Sequence, residues 1–176
     1  MALVGVTVAL VVLGAAVFAT AHLYRVPVAS MEPTLHCAKP KRGCRGSEDD
    51  RIVVPRFFFK HPGRGDLVAF HAPPLARRRC GSVGVYVKRV VAVAGDTVAE
   101  RHGTFVVNGR ALPEHYVKFR DAQTLRRRRV PAGAYFVLGD NRLASCDSRI
   151  LGPISQRAVL GRVVATYWPP SRIAIR

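Results

Sequence analysis

Apolar positions in this chain fall into two regimes. From Ala2 to Leu23 there is no Lys, Arg, Asp or Glu. At ~1.5 Å per residue such a helix is long enough to cross a ~30 Å hydrocarbon core. Beyond it the apolar runs are short and stop at Gly, Pro or Asn. Arg51-Ile52-Val53-Val54 ends at Pro55, and the unusually apolar Phe57-Phe58-Phe59 follows. Pro62 to Asp66 reads as a turn into the strand Leu67-Val68-Ala69-Phe70, which Pro73-Pro74 closes, with a basic loop from Leu75 to Ser82. Val83 to Val93 is a Val-rich strand interrupted by Lys88-Arg89 and ended by Gly95-Asp96. Phe105-Val106-Val107 and Ala111-Leu112 flank Asn108-Gly109, the strongest hairpin signal in the sequence. Tyr135 to Leu138 and Leu160 to Tyr167 supply two further strands. Strands at short intervals with almost no helical periodicity predict a mostly β protein of closed or folded architecture.

The pattern divides the chain into residues 1–24, a transmembrane anchor, and residues 25–176, a β-rich domain. A cleaved signal peptide competes with the anchor, because Ala19-Thr20-Ala21 has a small-x-small form. No basic segment precedes the apolar stretch, however, and it exceeds the usual ~7–15 residues of a signal-peptide core. Arg25, Lys39, Lys41 and Arg42 follow the anchor. By the positive-inside rule they would keep the domain in the cytoplasm, although that rule weakens for long translocated domains.

Composition then removes whole classes. Hydrophobic residues make up 49% and charged residues 22% of the chain, which excludes a disordered or collagen-like protein. A net charge of +17, from 28 Lys plus Arg against 11 Asp plus Glu, raises nucleic-acid binding. The basic residues are scattered, as at Arg77 to Arg79 and Arg126 to Arg129, without interleaved aromatic residues. A basic surface held near anionic lipid head groups fits better, and no nucleic-acid partner is expected. Cys37, Cys44, Cys80 and Cys146 have no Cys-x-x-Cys spacing, so a zinc site is not expected. Their even number fits two disulfides formed in an oxidising compartment, with four buried thiols as the competing reading. Three pairings exist, of which Cys37–Cys44 and Cys80–Cys146 are expected.

Ser30 follows the anchor in Val28-Ala29-Ser30-Met31-Glu32-Pro33-Thr34-Leu35. A serine needs a base to become a nucleophile. The histidines at 22, 36, 61, 71, 102 and 115 lie in no dense polar motif, and no Gly-x-Ser-x-Gly elbow occurs. Lys88 sits in the apolar strand, where lost solvation would lower its pKa and free its amine as a base. Strand alternation points Lys88 and Arg89 to opposite faces, so one is expected inside and the other in solvent. A solvated strand lysine is the duller reading of the same residue. Gly139 to Gly152 is dense in polar groups, with Asp140, Ser145, Asp147 and Arg149 among them. It reads either as a rigid structural loop or as one carrying Ser145 to the lysine.

Four blocks in order, SMEPTL at Ser30 to Leu35, RGDLVAF at Arg64 to Phe70, YVKRVVAVAGD at Tyr86 to Asp96 and GDNRLASCDSR at Gly139 to Arg149, resemble the type I signal peptidase family. The resemblance implies a serine-lysine peptidase that removes signal peptides from exported preproteins without a cofactor or metal. Ser30 would be the nucleophile and Lys88 the general base. Ser145 would hydrogen-bond the amine, Asp147 and Arg149 would form a supporting salt bridge, and Asp140 would join that network. The implied fold is a catalytic domain of coiled antiparallel sheets with a second domain reduced to a few strands over residues 98–134. A single-pass monomer in the cell membrane, its domain extracytoplasmic, follows, with signal peptides and the lipid bilayer as partners. Val28 lacks the hydroxyl that some family members place there for the oxyanion, and Ala92 and Ala94 replace a frequent Gly and Pro. A dedicated maturation peptidase, a self-cleaving SOS repressor and a non-enzymatic basic membrane-surface protein are the alternatives. The repressor class would need a soluble DNA-binding domain for which this chain has no room.

Overall fold

The computed structural model describes residues 21–55 and 61–176, so the expected anchor up to residue 20 and Phe57 to Phe59 lie outside the described residues. Among the described residues thirteen strands pair antiparallel in three sheets. They are β1 (Ala21–Arg25), β2 (Arg51–Pro55), β3 (Leu67–His71), β4 (Val85–Val93), β5 (Thr97–Arg101), β6 (Thr104–Val107) and β7 (Arg110–Ala111). Then come β8 (Leu125–Arg129), β9 (Ala134–Leu138), β10 (Ile154–Ser155), β11 (Val159–Arg162), β12 (Ala165–Trp168) and β13 (Ala174–Ile175). The sheets run β1-β2-β12-β13, β10-β9-β4-β3-β11 and β7-β6-β5-β8. No helix among the described residues is long and apolar enough to cross a membrane.

The five-stranded sheet is central because both of its faces are buried. Leu67 and Ala69 of β3 pack with Val26, Met31, Leu35, Ile52, Val54 and Val163. Val68 and Phe70 of the same strand pack with Ala76, Val90, Tyr135, Val137, Leu151 and Ile154 on the other side. Period-two alternation therefore separates two apolar layers instead of an inside from an outside. In β4 the pairing with β9 shifts between Val90 and Ala92. Beyond the shift Val91 and Ala92 join a third core with Val98, Phe105, Val107, Phe136 and Leu138, which binds the β5–β8 sheet to the rest. Asn108 and Gly109 both have positive φ, 52° and 81°, as a two-residue hairpin turn requires.

Three expectations need correction. Ala21 to Leu23, assigned to the anchor, lie in β1, where their backbone groups pair with Val53 to Pro55. Leu75 to Ser82 is mostly helix, over Pro74–Cys80. Pro74 is preset for the first helical turn, and Gly81, at φ 65°, ends it. The single strand expected from Leu160 to Tyr167 is two, because the chain leaves β3 and crosses to β2 between Arg162 and Ala165.

Both expected disulfides form, Cys37–Cys44 and Cys80–Cys146, with Cα separations of 4.9 and 6.2 Å. Peptide mapping without reductant should return these two linkages, and any other pairing would contradict the fold. Reduction should lower stability by ~2–4 kcal/mol per bond, read from the denaturation midpoint.

Candidate active site

The Ser30 side of the site is a short 3-10 turn, Ala29–Met31, whose three residues are buried. Each neighbour in its block has a separate tether. Met31 and Leu35 enter the core beside β2 and β3. Glu32 is fully buried and accepts from the Cys37 and Arg45 backbone N–H groups, both at 3.0 Å, while His36 Nδ1 lies 2.5 Å from it. Thr34 donates its hydroxyl to Asp140 at 2.5 Å.

Lys88 comes from β4, the middle strand of the five-stranded sheet, opposite Val68 of β3. Its Nζ donates to Ser30 Oγ at 2.7 Å and to the Val87 carbonyl at 3.0 Å. Ser30 and Lys88 are only 7% and 3% exposed. Burial drives the Lys88 amine down from its ordinary 10.5 to about 8, against the pull of Asp147 and then Asp140. Arg89 departs from the expected inside-outside split, because it too is engaged. It holds Asp140 through Nε at 2.9 Å and Nη2 at 2.6 Å, and its guanidinium stacks 4.1 Å from the Tyr116 ring centroid.

The polar segment from Gly139 onward supplies the remaining side. Asp147 accepts from the Gly139 N–H at 3.1 Å and pairs with Arg149 at 2.9 Å. Arg149 also reaches Asp121 at 2.7 Å. Ser145 does not hold the lysine as expected. Its hydroxyl is buried without a hydrogen-bond partner and abuts Gly139, where an added Cβ would fall 2.2 Å from Oγ and 2.5 Å from the Ser30 carbonyl. That close approach explains why position 139 carries no side chain.

Sequence reasoning missed Asn141. Its backbone N–H donates to the Ser30 carbonyl and its side-chain Nδ2 to the Ala29 carbonyl, both at 3.1 Å. Two successive carbonyls of the Ser30 turn are thus fixed by one residue 112 positions away. Only its place in a dense polar run hinted at this. A buried ion pair between Glu114 and Arg142 was equally unforeseen. Glu100 is fully buried too, with neither carboxylate oxygen hydrogen-bonded, and desolvation raises its pKa.

Ser30 and Lys88 open onto a cleft of about 270 Å³, lined mostly by apolar groups including Val28, Met31, Val83, Tyr86 and the Cys80–Cys146 pair. Beside it, among the described residues, one edge of β4 is free: β3 pairs with Val85 to Arg89, whereas β9 reaches no further than Arg89. A buried amine against a buried hydroxyl, next to an open strand edge, is equipped for acyl transfer to serine.

A family model described as signal peptidase, peptidase S26, matches residues 1–168. The chain belongs to the signal peptidase S26 family. As a member it is a serine peptidase, a hydrolase. Signal peptidase I of Leptolyngbya laminosa is 32% identical over 84% of this chain and 69% of its own length. A probable signal peptidase I-2 of Synechocystis is 31% identical over 97% of this chain and 73% of its own. The chloroplastic thylakoidal processing peptidase 1 of Arabidopsis thaliana is 36% identical over 85% of this chain. This peptidase spans only 42% of that plant relative's length.

Two outcomes test the geometry. Between pH about 8 and 10.5 the unfolded chain keeps the Lys88 proton while the folded chain has lost it. Stability contributed by this group therefore rises with pH across that window. Denaturation at several pH values should show wild type gaining on Lys88→Met from pH 8 upward, and parallel curves would contradict it. Asn141→Ala, which leaves the Ala29 carbonyl without its side-chain donor, should cost ~1–3 kcal/mol in urea unfolding.

Proposed function

We propose that this peptidase cleaves signal peptides from exported preproteins with Ser30 as nucleophile and Lys88 as general base. The observation that carries the reading is the 2.7 Å contact between Lys88 Nζ and Ser30 Oγ, groups 58 residues apart that meet in a buried site. A lysine held near 8 is partly neutral at physiological pH, as a base must be.

The substrate enters extended and pairs along the free edge of β4, its small apolar residues before the cut filling the cleft. Ser30 Oγ attacks the scissile carbonyl carbon as its proton passes to Lys88 Nζ. The oxyanion is met by the Ser30 backbone N–H, since Val28 offers no hydroxyl. The C–N bond then breaks, and Lys88 returns the proton to the leaving amine. Water, deprotonated by the same amine, hydrolyses the acyl-enzyme and restores Ser30. Asp147 with Arg149, and Asp140 with Arg89, keep the surroundings of the amine fixed. Ser145 closes the packing behind the Ser30 carbonyl.

A bilayer location for the site is part of this reading. Val28 and Val83, 57% and 64% exposed, line the cleft, and Leu143, 65% exposed, precedes the lining residue Ala144 in the chain. Such an apolar rim suits a membrane surface, with the domain on the extracytoplasmic side, where two disulfides persist.

Ser30→Ala and Lys88→Ala, each folded, should lose at least ~10³-fold in cleavage of a preprotein with an Ala-x-Ala site. In wild type kcat/KM should rise with pH through about 8 as Lys88 loses its proton. Full activity in either variant, or a profile flat through that range, would overturn the assignment.

A further inference from the structure

The cleft has two walls of unequal construction. One segment contributes Ala144 and Cys146 to the lining, and another contributes Cys80, Ser82 and Val83. The Cys146 side is held at many points. Asp147 binds the Gly139 N–H and Arg149, the Ser148 hydroxyl accepts from the Val137 N–H at 2.9 Å, and Arg149 reaches the Arg142 carbonyl at 3.1 Å.

The Cys80 side belongs to the connection between β3 and β4, residues 72–84. Its described hydrogen bonds are almost all internal: Ala72 N to Gly84 O, Ala76 N to Pro73 O and Gly81 N to Arg77 O. The Tyr86 hydroxyl adds a long contact to the Ser82 carbonyl at 3.5 Å. Ala76 is its one fully buried side chain, with Ala72, Leu75 and Cys80 half-buried against the same core, whereas Arg77 to Arg79 and Gly81 to Gly84 are exposed. The Cys80–Val83 end of the connection has one covalent tie to the fixed segment, the Cys80–Cys146 bond.

We propose that the Cys80–Cys146 disulfide is a specificity-determining element of the cleft. It holds the Cys80–Val83 wall at a set distance from Ser30 and Lys88, so that a small substrate side chain fills the gap and a larger one is refused. The inference rests on the Ser30–Lys88 reading. Without the bond the wall must be ordered anew by each substrate, which weakens binding, while the many tethers of the opposite side keep Ser30 and Lys88 assembled. The connection carries its own hinge residues, since Gly81 and Gly84 both have positive φ, 65° and 97°.

The test is a Cys80→Ala/Cys146→Ala variant of the full chain in detergent. It is assayed on peptides with Ala or Leu before the cut and with a small acylating label for Ser30. The expected result is a KM for the Ala peptide raised about tenfold, kcat and labelling rate within about twofold of wild type, and a narrowed preference for Ala over Leu. If the variant does not fold, wild type opened by a dithiol under native conditions and trapped by alkylation at Cys80 and Cys146 gives the same comparison. An unchanged KM and preference would overturn the proposal. So would a parallel fall in kcat and labelling, which would make the bond a support of the catalytic segment instead. Failure of the label to react with wild-type Ser30 would instead sink the serine-lysine reading itself.

Discussion

A buried lysine amine is the constraint around which this molecule is organised. Removing Lys88 from water lowers its pKa, but two carboxylates close enough to be felt, Asp147 and Asp140, pull it back up. Neither carboxylate is left free beside the amine. Each is instead held by its own arginine, Asp147 by Arg149 at 2.9 Å and Asp140 by Arg89 at 2.6 Å. The arginines satisfy the hydrogen-bonding capacity of the two acids and fix their positions beside the amine. The value near 8 is thus a balance between burial, which lowers it, and the two carboxylates, which raise it.

That balance also dictates the scaffold. Lys88 is kept this dry on β4 by its pairing with Val68 of β3 on one side and by the buried Ser30 turn against its amine. The serine must then be brought to the amine, and the structure does so through backbone groups. Asn141 grips two carbonyls of the Ser30 turn, and Gly139 lets that turn and Ser145 pack against bare backbone. The same polar segment therefore serves both partners, fixing the Ser30 turn through its first residues and balancing Lys88 through its last. One side of the cleft is rigid as a consequence of this double duty. The other side, which bears neither Ser30 nor Lys88, is joined to it covalently by the Cys80–Cys146 bond.

Much of this was legible in the residues. The strands at Leu67, Val85, Thr104 and Ala134 announce themselves by short apolar runs and turn residues, and Asn108-Gly109 marks its hairpin. Ser30 and Lys88 stand out as polar groups in apolar settings, and the cysteine spacing suggests its own pairing. The helix Pro74–Cys80 was hidden because a run of arginines after two prolines has the composition of a loop. Its start and stop lie in Pro74 and Gly81, which act through backbone geometry. The strand at Leu160 was drawn too long because a chain that changes sheets keeps its apolar pattern across the crossing.

The sequence by itself determined most of the strands, the family blocks and which side chains are candidates for chemistry, because those depend on local pattern and residue type. Only the tertiary structure decided what each polar group touches. It put Arg89 on Asp140 instead of in solvent, turned Ser145 onto Gly139 instead of Lys88, and made Asn141 the clamp of the Ser30 turn. The physical reason is that hydrogen bonds and desolvation depend on distances of a few ångströms between residues far apart in the chain. The 2.7 Å between Lys88 and Ser30 exists only once three sheets have closed around it.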